Sequence, residues 1–412
     1  MHGGDPPSRH RGLDGVRGIA ALLVVVHHAV LVVPSMAALV DVKGHAAEAP
    51  ESFSIEWWLY RTPLRAVWAG QEAVLLFFVL SGLVLTLPVL RGWGRADWRT
   101  YYPRRLVRLY VPVWASLVLA LLLVVVVPRD VTSASAWLAA HAQPTFRALA
   151  FDTTLLFGSS NLNSPLWSLR WEIWFSLFLP LLIALAVMAR VRRWWSVAVV
   201  ALAVVSGLAG LPVVGNVLPG AFVTQGLLSY LPVFGIGVVL AFAWDRVHAL
   251  TVRVHSSARP HRLWAIIGLG GLVAALSPTY VDVDGASAGA VLLRVVSLLG
   301  VTAIVFLALG RSGGWLTARP VQWLGSRSFS LYLVHEPLVV AVGLLAGSSM
   351  TLWGLLSLPT LALALVAAEV FHRLVERPSH RLARSLGADA GPPRAPVVLP
   401  SVAAPVRRGA AG

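Results

Sequence analysis

The chain has 412 residues, of which 57% are hydrophobic and 12% are charged. Soluble domains carry about 25% charged residues, so the composition excludes an ordinary soluble enzyme, and the apolar content equally excludes intrinsic disorder. Cysteine is absent, which excludes disulfides, thiolate metal sites and cysteine nucleophiles. The formal net charge is +15, and every basic residue except Lys43 is an arginine. Such a charge can serve nucleic-acid binding or membrane topology, and the positions of the arginines decide between the two.

Ten mostly apolar runs have about the length of a membrane helix. They lie near residues 15–34, 70–90, 107–128, 165–189, 194–211, 225–244, 263–277, 287–310, 327–346 and 351–372. A weaker apolar stretch at 137–157 contains His141, Arg147 and Asp152, and we expect it outside the membrane or at its surface. The sequence therefore predicts an all-α polytopic integral membrane protein with about ten transmembrane helices.

The basic residues fall mainly on one side of these runs. With a cytoplasmic N-terminus, 26 of them lie in inner segments, five lie in outer segments, and Arg170 and Arg294 lie within helices. This positive-inside pattern places both termini in the cytoplasm and makes nucleic-acid binding unnecessary. The use of arginine over lysine, without an organelle-targeting segment, favours a multi-pass protein of a bacterial plasma membrane, with membrane lipids as partners.

The chain divides into three predicted parts. Residues 1–12 form a cytoplasmic N-terminal segment, and residues 13–380 form the transmembrane domain. Residues 381–412 are rich in Pro, Ala and Arg without an apolar period, which predicts a disordered cytoplasmic tail.

Asp14, Arg17 and His28 share one face of the first predicted helix. His28 follows Arg17 by eleven residues, which is three turns plus about 20°, and Asp14 lies within about 40° of the same line. His27 points about 100° away. Asp14 and Arg17 could anchor the helix at the headgroups while His28 is a hydrogen-bonded core histidine, but an aligned trio in lipid favours a functional role.

Glu172 and His335 are predicted at about the same membrane depth as His28. A histidine and a carboxylate at one depth could form a general base with its orienting partner. The alternative is a structural ion pair of Glu172 with Arg170 or Arg294.

Arg105 and Arg108 stand three residues apart at the predicted cytoplasmic start of the third helix, so they share a face. Clustered guanidinium groups suit phosphate recognition, although ordinary positive-inside anchoring explains them equally well.

The small residues of the segment 77–82 predict close packing of the second helix. The histidine spacing does not suggest a metal site. From residues alone, enzyme and transporter both remain open.

Several stretches, taken in order, resemble the membrane acyltransferase family 3, whose members O-acylate sugars and other acceptors. These stretches are 13–28, 70–82, 102–112, 166–172, 323–337 and 376–378. The family's basic residue, ten intervening residues and a histidine match Arg17 and His28, and its paired arginines match Arg105 and Arg108. The second histidine at His27 and the replacement of a frequent second acid by Ile173 depart from the pattern. Many members carry a fused SGNH-type domain, and this sequence shows none.

The resemblance implies that acyl-CoA, with acetyl-CoA favoured, binds from the cytoplasm through Arg17, Arg105 and Arg108. His28 would act as base or transient acyl carrier, with Glu172 setting its tautomer or positioning the acceptor. The acceptor would be a hydroxyl of a glycan, a lipid-linked sugar or a glycosylated metabolite of the cell envelope.

The same resemblance assigns Asp14, Trp167 and His335 to the substrate side of the site and implies no metal. The rival interpretations are a secondary transporter or flippase with a midplane His/Glu proton site, and a glycosyltransferase that uses lipid-linked sugars. The absence of an inverted repeat argues mildly against transport.

Overall fold

The computed structural model describes residues 10–40, 50–91, 97–129, 134–141, 145–158, 160–217, 221–281, 283–310, 314–347 and 349–386. Within these ranges all regular structure is helical and no strand is present. In chain order the helices are α1 (Arg11–Leu31), α2 (Pro34–Ala38), α3 (Ile55–Arg61), α4 (Gly70–Arg91), α5 (Trp98–Val126), α6 (Ala136–Ala140), α7 (Phe146–Thr154), α8 (Leu166–Met188), α9 (Trp195–Ala209), α10 (Pro212–Val217), α11 (Ala221–Phe242), α12 (Trp244–His255), α13 (Pro260–Tyr280), α14 (Ala288–Gly310), α15 (Arg319–Ala346), α16 (Met350–Phe371) and α17 (Arg377–Ser385). Two 3₁₀ turns, Pro63–Trp68 and Trp315–Thr317, and a π-helical turn, His372–Glu376, complete the described helical structure.

The ten predicted apolar runs coincide with helices. In the described part of the chain, nine helical segments are long and apolar enough to cross a membrane, and α9 is a shorter apolar helix of 15 residues. The prediction of an all-α, multi-pass membrane protein is therefore confirmed. The weakly apolar stretch at 137–157 contains the short helices α6 and α7 rather than a span.

Two helices start earlier than the apolar runs suggest. Helix α5 begins at Trp98 rather than near 107, and α15 begins at Arg319 rather than near 327. Hydropathy cannot detect these first turns because they carry arginines and other polar side chains. As a result, Arg105 and Arg108 lie about two to three turns inside α5 instead of at its start.

The two ends of the chain are described only in part. Residues 377–385 are helical, so the first residues of the predicted tail continue the last helix. Residues 1–9 and 387–412, on which the remaining predictions about the two termini fall, lie outside the described residues.

Helices α1 and α15 lie at the centre of the bundle. Helix α1 packs against both α15 and α4, α4 packs against α11, and α11 packs against α9, while α16 covers the other side of α15. In α15 the most apolar part is 83% buried, more than in any other described span. A side chain on the α1–α15 contact is therefore shielded by protein rather than by lipid.

The contact between α4 and α11 is made by backbone. A Cβ atom added at Gly82 would lie 2.0 Å from the carbonyl oxygen of Phe234, and one added at Gly237 would lie 2.1 Å from that of Val79. Only glycine permits this approach, which is the usual function of small residues between membrane helices. The close packing predicted from the segment 77–82 is confirmed.

We expect Gly82→Ala to lower the thermal stability of the protein in nanodiscs, at a cost of about 1–3 kcal/mol for the overpacked contact. Gly270→Ala is the matched control, because a Cβ atom at this position in α13 meets no described atom within 4 Å. The control should be neutral or slightly stabilising, since alanine favours helix by about 1 kcal/mol over glycine. Equal melting temperatures for the two variants would contradict the backbone contact.

Candidate active site

A cavity of about 700 Å³ opens among α1, α5, α15 and α17, at the predicted cytoplasmic end of the bundle. Its charged lining consists of seven arginines and two glutamates, together with two histidines. They are Arg17, Arg105, Arg108, Arg327, Arg377, Arg381, Arg384, Glu172, Glu376, His372 and His380. With neutral histidines the lining carries five positive charges in excess, so the cavity suits a polyanionic ligand.

Arg17 on α1 and Arg108 on α5 line this cavity without a hydrogen bond or salt bridge to any residue that the structure describes. Two guanidinium groups in one cavity repel each other unless water or an anion lies between them. Each offers a planar set of donors that matches phosphate oxygens. This pair is therefore available to bind a phosphate-bearing ligand.

Glu172 on α8 is held by α4 and α5 rather than by a histidine. Its Oε1 atom accepts a short hydrogen bond from Arg105 Nη2 and a longer one of 3.3 Å from Ser81 Oγ. Arg105 Nε also donates to Ser176 Oγ at 3.0 Å. The carboxylate thus fixes the guanidinium in the cavity wall. The alternative prediction, a structural ion pair of Glu172 with Arg170 or Arg294, was right that the partner is an arginine. The partner is Arg105, however.

His28 meets His335 across the α1–α15 contact. The His28 Nδ1 and His335 Nε2 atoms are 3.0 Å apart, and His335 Nδ1 lies 2.9 Å from the carbonyl oxygen of Leu331. A carbonyl oxygen only accepts, so Nδ1 of His335 carries a proton, and in a neutral ring its Nε2 is then an acceptor. His28 donates from Nδ1 and keeps a lone pair on Nε2. The arrangement produces the tautomer that a general base requires.

His27 has a different environment from its neighbour. Its Nδ1 atom lies 3.0 Å from the carbonyl oxygen of Trp68, which also accepts a 2.7 Å hydrogen bond from Arg65 Nη1. The His27 ring lies against Gly70, where an added Cβ atom would be 2.5 Å from Cγ. His27 therefore ties the turn Pro63–Trp68 to α1.

The aromatic rings of Phe77 and Tyr332 line the cavity where it comes nearest to the histidine pair. Their ring centroids are 5.8 Å apart, and Tyr332 lies 5.9 Å from His335. The Tyr332 hydroxyl is 2.7 Å from Ser168 Oγ and donates to the Pro165 carbonyl oxygen at 3.1 Å. The lining residues do not include His28. One layer of side chains thus separates the arginine-lined cavity from the histidines.

Asp14 and Trp167 do not line the cavity, although each lies against a residue that does. The backbone carbonyl of Asp14 packs on Gly325 of α15, where an added Cβ atom would be 2.2 Å from the oxygen. The Trp167 ring lies 5.4 Å from the Tyr230 ring and 6.4 Å from the Phe78 ring. Of the predicted site residues, the structure brings Arg17, Arg105, Arg108 and Glu172 to the cavity, and places His28 with His335 behind it.

A buried polar pair whose second member the sequence could not supply lies next to the two histidines. Glu336 is 0% exposed and accepts from the Ser164 backbone N–H at 2.5 Å and from the Ser164 hydroxyl. His141 Nε2 lies 2.9 Å from Glu336 Oε1, and His141 Nδ1 lies 2.6 Å from the Trp137 carbonyl oxygen. His141 donates from Nδ1 to the carbonyl and forms a buried His–Glu pair with Glu336 through Nε2.

The His141–Glu336 pair also positions the aromatic ring that lies against His28. The Trp137 ring is stacked on the His28 ring at 5.6 Å and lies 4.4 Å from the His141 ring. The sequence signal was present, because Glu336 follows His335 directly. The partner could not be found from the sequence, since His141 lies in a stretch assigned to the outer surface.

Asp152 is a second buried carboxylate near Glu336. Its Oδ1 accepts from the Ser160 backbone N–H at 2.6 Å, and its Oδ2 accepts from the Ser160 hydroxyl. Burial raises the pKa of the Asp152 carboxyl to about 6, and the Ser160 hydrogen bonds oppose this shift. No group of three or more His, Cys, Asp or Glu side chains in the described residues could hold a metal ion.

Comparison with known proteins identifies the family. The model of acyltransferase family 3, described as an acyltransferase domain, matches residues 10–369. The match covers most of the chain, so the chain belongs to this family and is a multi-pass membrane protein of the acyltransferase class. The family resemblance of the sequence motifs is confirmed.

One similar protein comes from Bacillus subtilis (strain 168) and is named "Putative peptidoglycan O-acetyltransferase YrhL". It is 26% identical to the chain over 347 residues, which cover 80% of the chain and 48% of the relative. The chain therefore spans about half the length of the curated relative that it matches. No solved structure matches the chain.

We expect Glu336→Ala to destabilise the protein by about 3–5 kcal/mol, because it leaves His141 buried without its partner. Asp245→Ala is the matched control. It removes the Arg192–Asp245 bridge, whose side chains are 65% and 75% exposed, and such surface pairs contribute about 1 kcal/mol or less. Thermal unfolding in nanodiscs checks both variants. A loss for Glu336→Ala no larger than that of the control would contradict the ion pair.

We expect the stability of the wild type to fall between pH 4 and 6 through Asp152. The folded-state pKa of about 6 exceeds the ordinary value of 3.8, so the folded protein holds the proton more tightly. The stabilisation is complete below pH 4, is lost as the pH rises through 6, and amounts to about 3 kcal/mol. Asp152→Asn should flatten the melting temperature over this range. Parallel curves for wild type and variant would show that Asp152 does not titrate there.

Proposed function

We propose that the protein is a membrane O-acyltransferase that moves an acyl group, in particular acetyl, from cytoplasmic acyl-CoA to a hydroxyl of a glycan or glycosylated acceptor. The observation that carries this proposal is the arginine-lined cavity, which ends one aromatic layer from a histidine pair with a free lone pair. A polyanionic donor and a general base are the two things that acyl transfer from a coenzyme A thioester needs. Family membership supports the reaction class.

The donor binds with its phosphates at the arginines. Arg17 and Arg108 are available for phosphate oxygens, while Glu172 fixes Arg105 in the same wall. The cavity volume of about 700 Å³ lies in the ordinary range of ligand sites. The phosphates then anchor the cytoplasmic end of coenzyme A, and the thioester arm extends toward Phe77 and Tyr332.

His28 acts at the thioester as general base. Its Nε2 lone pair takes the proton of the acceptor hydroxyl while the hydroxyl oxygen attacks the thioester carbonyl. The new C–O bond forms, the C–S bond breaks, and the proton passes from His28 to the leaving thiolate. His335 accepts the hydrogen bond from Nδ1 throughout, so it orients His28 and stabilises the transient imidazolium. A transient acyl group on Nε2 of His28 would use the same tautomer.

Contact between donor and base needs a side-chain movement. Phe77 and Tyr332 line the cavity but His28 does not, so these rings turn aside when the thioester arm enters. For Tyr332 this movement breaks the hydrogen bonds of its hydroxyl to Ser168 and to the Pro165 carbonyl. Until it occurs, His28 stays out of contact with the solvent in the cavity.

The acceptor is a carbohydrate of the cell envelope. The relative's name assigns peptidoglycan to that protein, and this supports a glycan hydroxyl as the acceptor here. In this proposal the acceptor approaches His28 from the side opposite the cavity, where the Trp137 ring is stacked on the imidazole.

The test is transfer of radiolabelled acetyl from acetyl-CoA to a glycan-rich envelope extract by the purified protein in nanodiscs. We expect His28→Ala to lower the rate by about 10²–10⁴-fold, the usual contribution of a general base. His27→Ala is the matched control, because this neighbouring ring binds the Trp68 carbonyl instead, and it should keep most of the activity.

Two results would contradict the proposal. Equal losses of the transfer rate in His28→Ala and His27→Ala would show that His28 is not the general base. If the protein neither binds coenzyme A nor turns over acyl-CoA of several acyl lengths, acyl-CoA is not the donor. The transporter interpretation would then be favoured.

A further inference from the structure

We propose that α17 forms the binding site for the ribose 3′-phosphate of the coenzyme A donor, through Arg377, Arg381 and Arg384. The inference rests on the proposed function, since it assigns one part of the same donor. Arg377, Arg381 and Arg384 stand four and three residues apart, so they share one face of the helix. All three line the cavity. None has a hydrogen bond or a salt bridge to a residue that the structure describes.

The π-helical turn that connects α16 to α17 determines where the arginine face of α17 points. The π-helical turn His372–Glu376 places Glu376, which is 5% exposed, against α15. Ser330 Oγ donates to Glu376 Oε2 at 2.5 Å, and His372 Nδ1 lies 3.0 Å from the same oxygen. Helix α17 also packs against α5, the helix that carries Arg105 and Arg108. The arginines are thus presented to the cavity by an anchored helix and not by a free chain end.

Ordinary membrane anchoring does not explain the three arginines. Arg373 is an arginine of that kind: it pairs with Glu369 at 2.5 Å and does not line the cavity. Arg327 lines the cavity but is neutralised by Glu369 at 2.7 Å. Arg377, Arg381 and Arg384 differ from both because they face the cavity without a carboxylate partner.

The cavity arginines without a described carboxylate partner therefore form two groups by their place in the fold, namely Arg17 with Arg108 on the bundle helices and the three arginines on α17. Coenzyme A has phosphate at two places, the diphosphate next to the pantetheine arm and the phosphate on the ribose 3′ carbon. The arm must run into the bundle, so the diphosphate lies at the first group. Helix α17 follows the cytoplasmic end of α16, and the ribose phosphate lies there.

The test compares the binding of coenzyme A and 3′-dephospho-coenzyme A to the full-length protein in phosphatidylcholine nanodiscs by isothermal titration calorimetry. We expect the wild type to bind coenzyme A about 10- to 100-fold more tightly, the usual effect of charge-assisted hydrogen bonds to one phosphate. The combined variant Arg377→Gln, Arg381→Gln, Arg384→Gln should lose this preference. Its affinity for the dephospho ligand should stay unchanged, which also shows that it is folded.

Arg373→Gln is the matched control and should keep the full preference, because its guanidinium lies outside the cavity. A wild type that binds both ligands equally, or a combined variant that keeps the preference or weakens both ligands alike, would overturn the phosphate assignment and leave the donor itself in place. A wild type that binds neither ligand would overturn the proposed donor as well.

Discussion

A charged or strongly polar side chain at membrane depth must contact a partner, water or a ligand, because hydrocarbon does not solvate such a side chain. Each ionisable group at the centre of this bundle meets that condition in a different way. Glu172 is neutralised by Arg105, Glu336 is paired with His141 and the Ser164 N–H, Arg327 is paired with Glu369, and the other cavity arginines face a polar opening. The cavity, the histidine pair and the buried ion pair all depend on this constraint. The most buried helix, α15, carries both His335 and Glu336.

The features that could be predicted from the sequence are those set by local chemistry. A membrane span is a property of about 20 consecutive residues, so hydropathy located the ten apolar helices found in the described residues. Helical periodicity placed Arg105 and Arg108 on one face, and both side chains line the cavity. The small residues near Gly82 indicated a close helix contact, because small side chains permit it whichever helix is the neighbour. The structure shows that this neighbour is α11.

The partners themselves could not be predicted, since they depend on how the helices rotate and pack. His28 and His335 are 307 positions apart in the chain, and Glu336 and His141 are 195 apart. Depth alone suggested Glu172 as the orienting group of His28, because both were expected near the midplane. Rotation of α8 turns Glu172 toward Arg105, and α15 supplies the histidine instead. The polar first turns of α5 and α15 were missed for a related reason, as they are helical without being apolar.

The separation between cavity and base has a consequence for the chemistry. A thioester held beside an activated base in open water would be hydrolysed, so an acyltransferase has to keep water from that encounter. In the proposed function the arginines bind the polar end of the donor in the open cavity, while Tyr332 lines the cavity and also contacts His335. His27 and His28 divide two functions between adjacent positions, because successive residues of a helix point about 100° apart. The His27 ring fixes the outer turn at Trp68, and the His28 ring is left with a lone pair, which the proposed mechanism assigns to the acceptor hydroxyl.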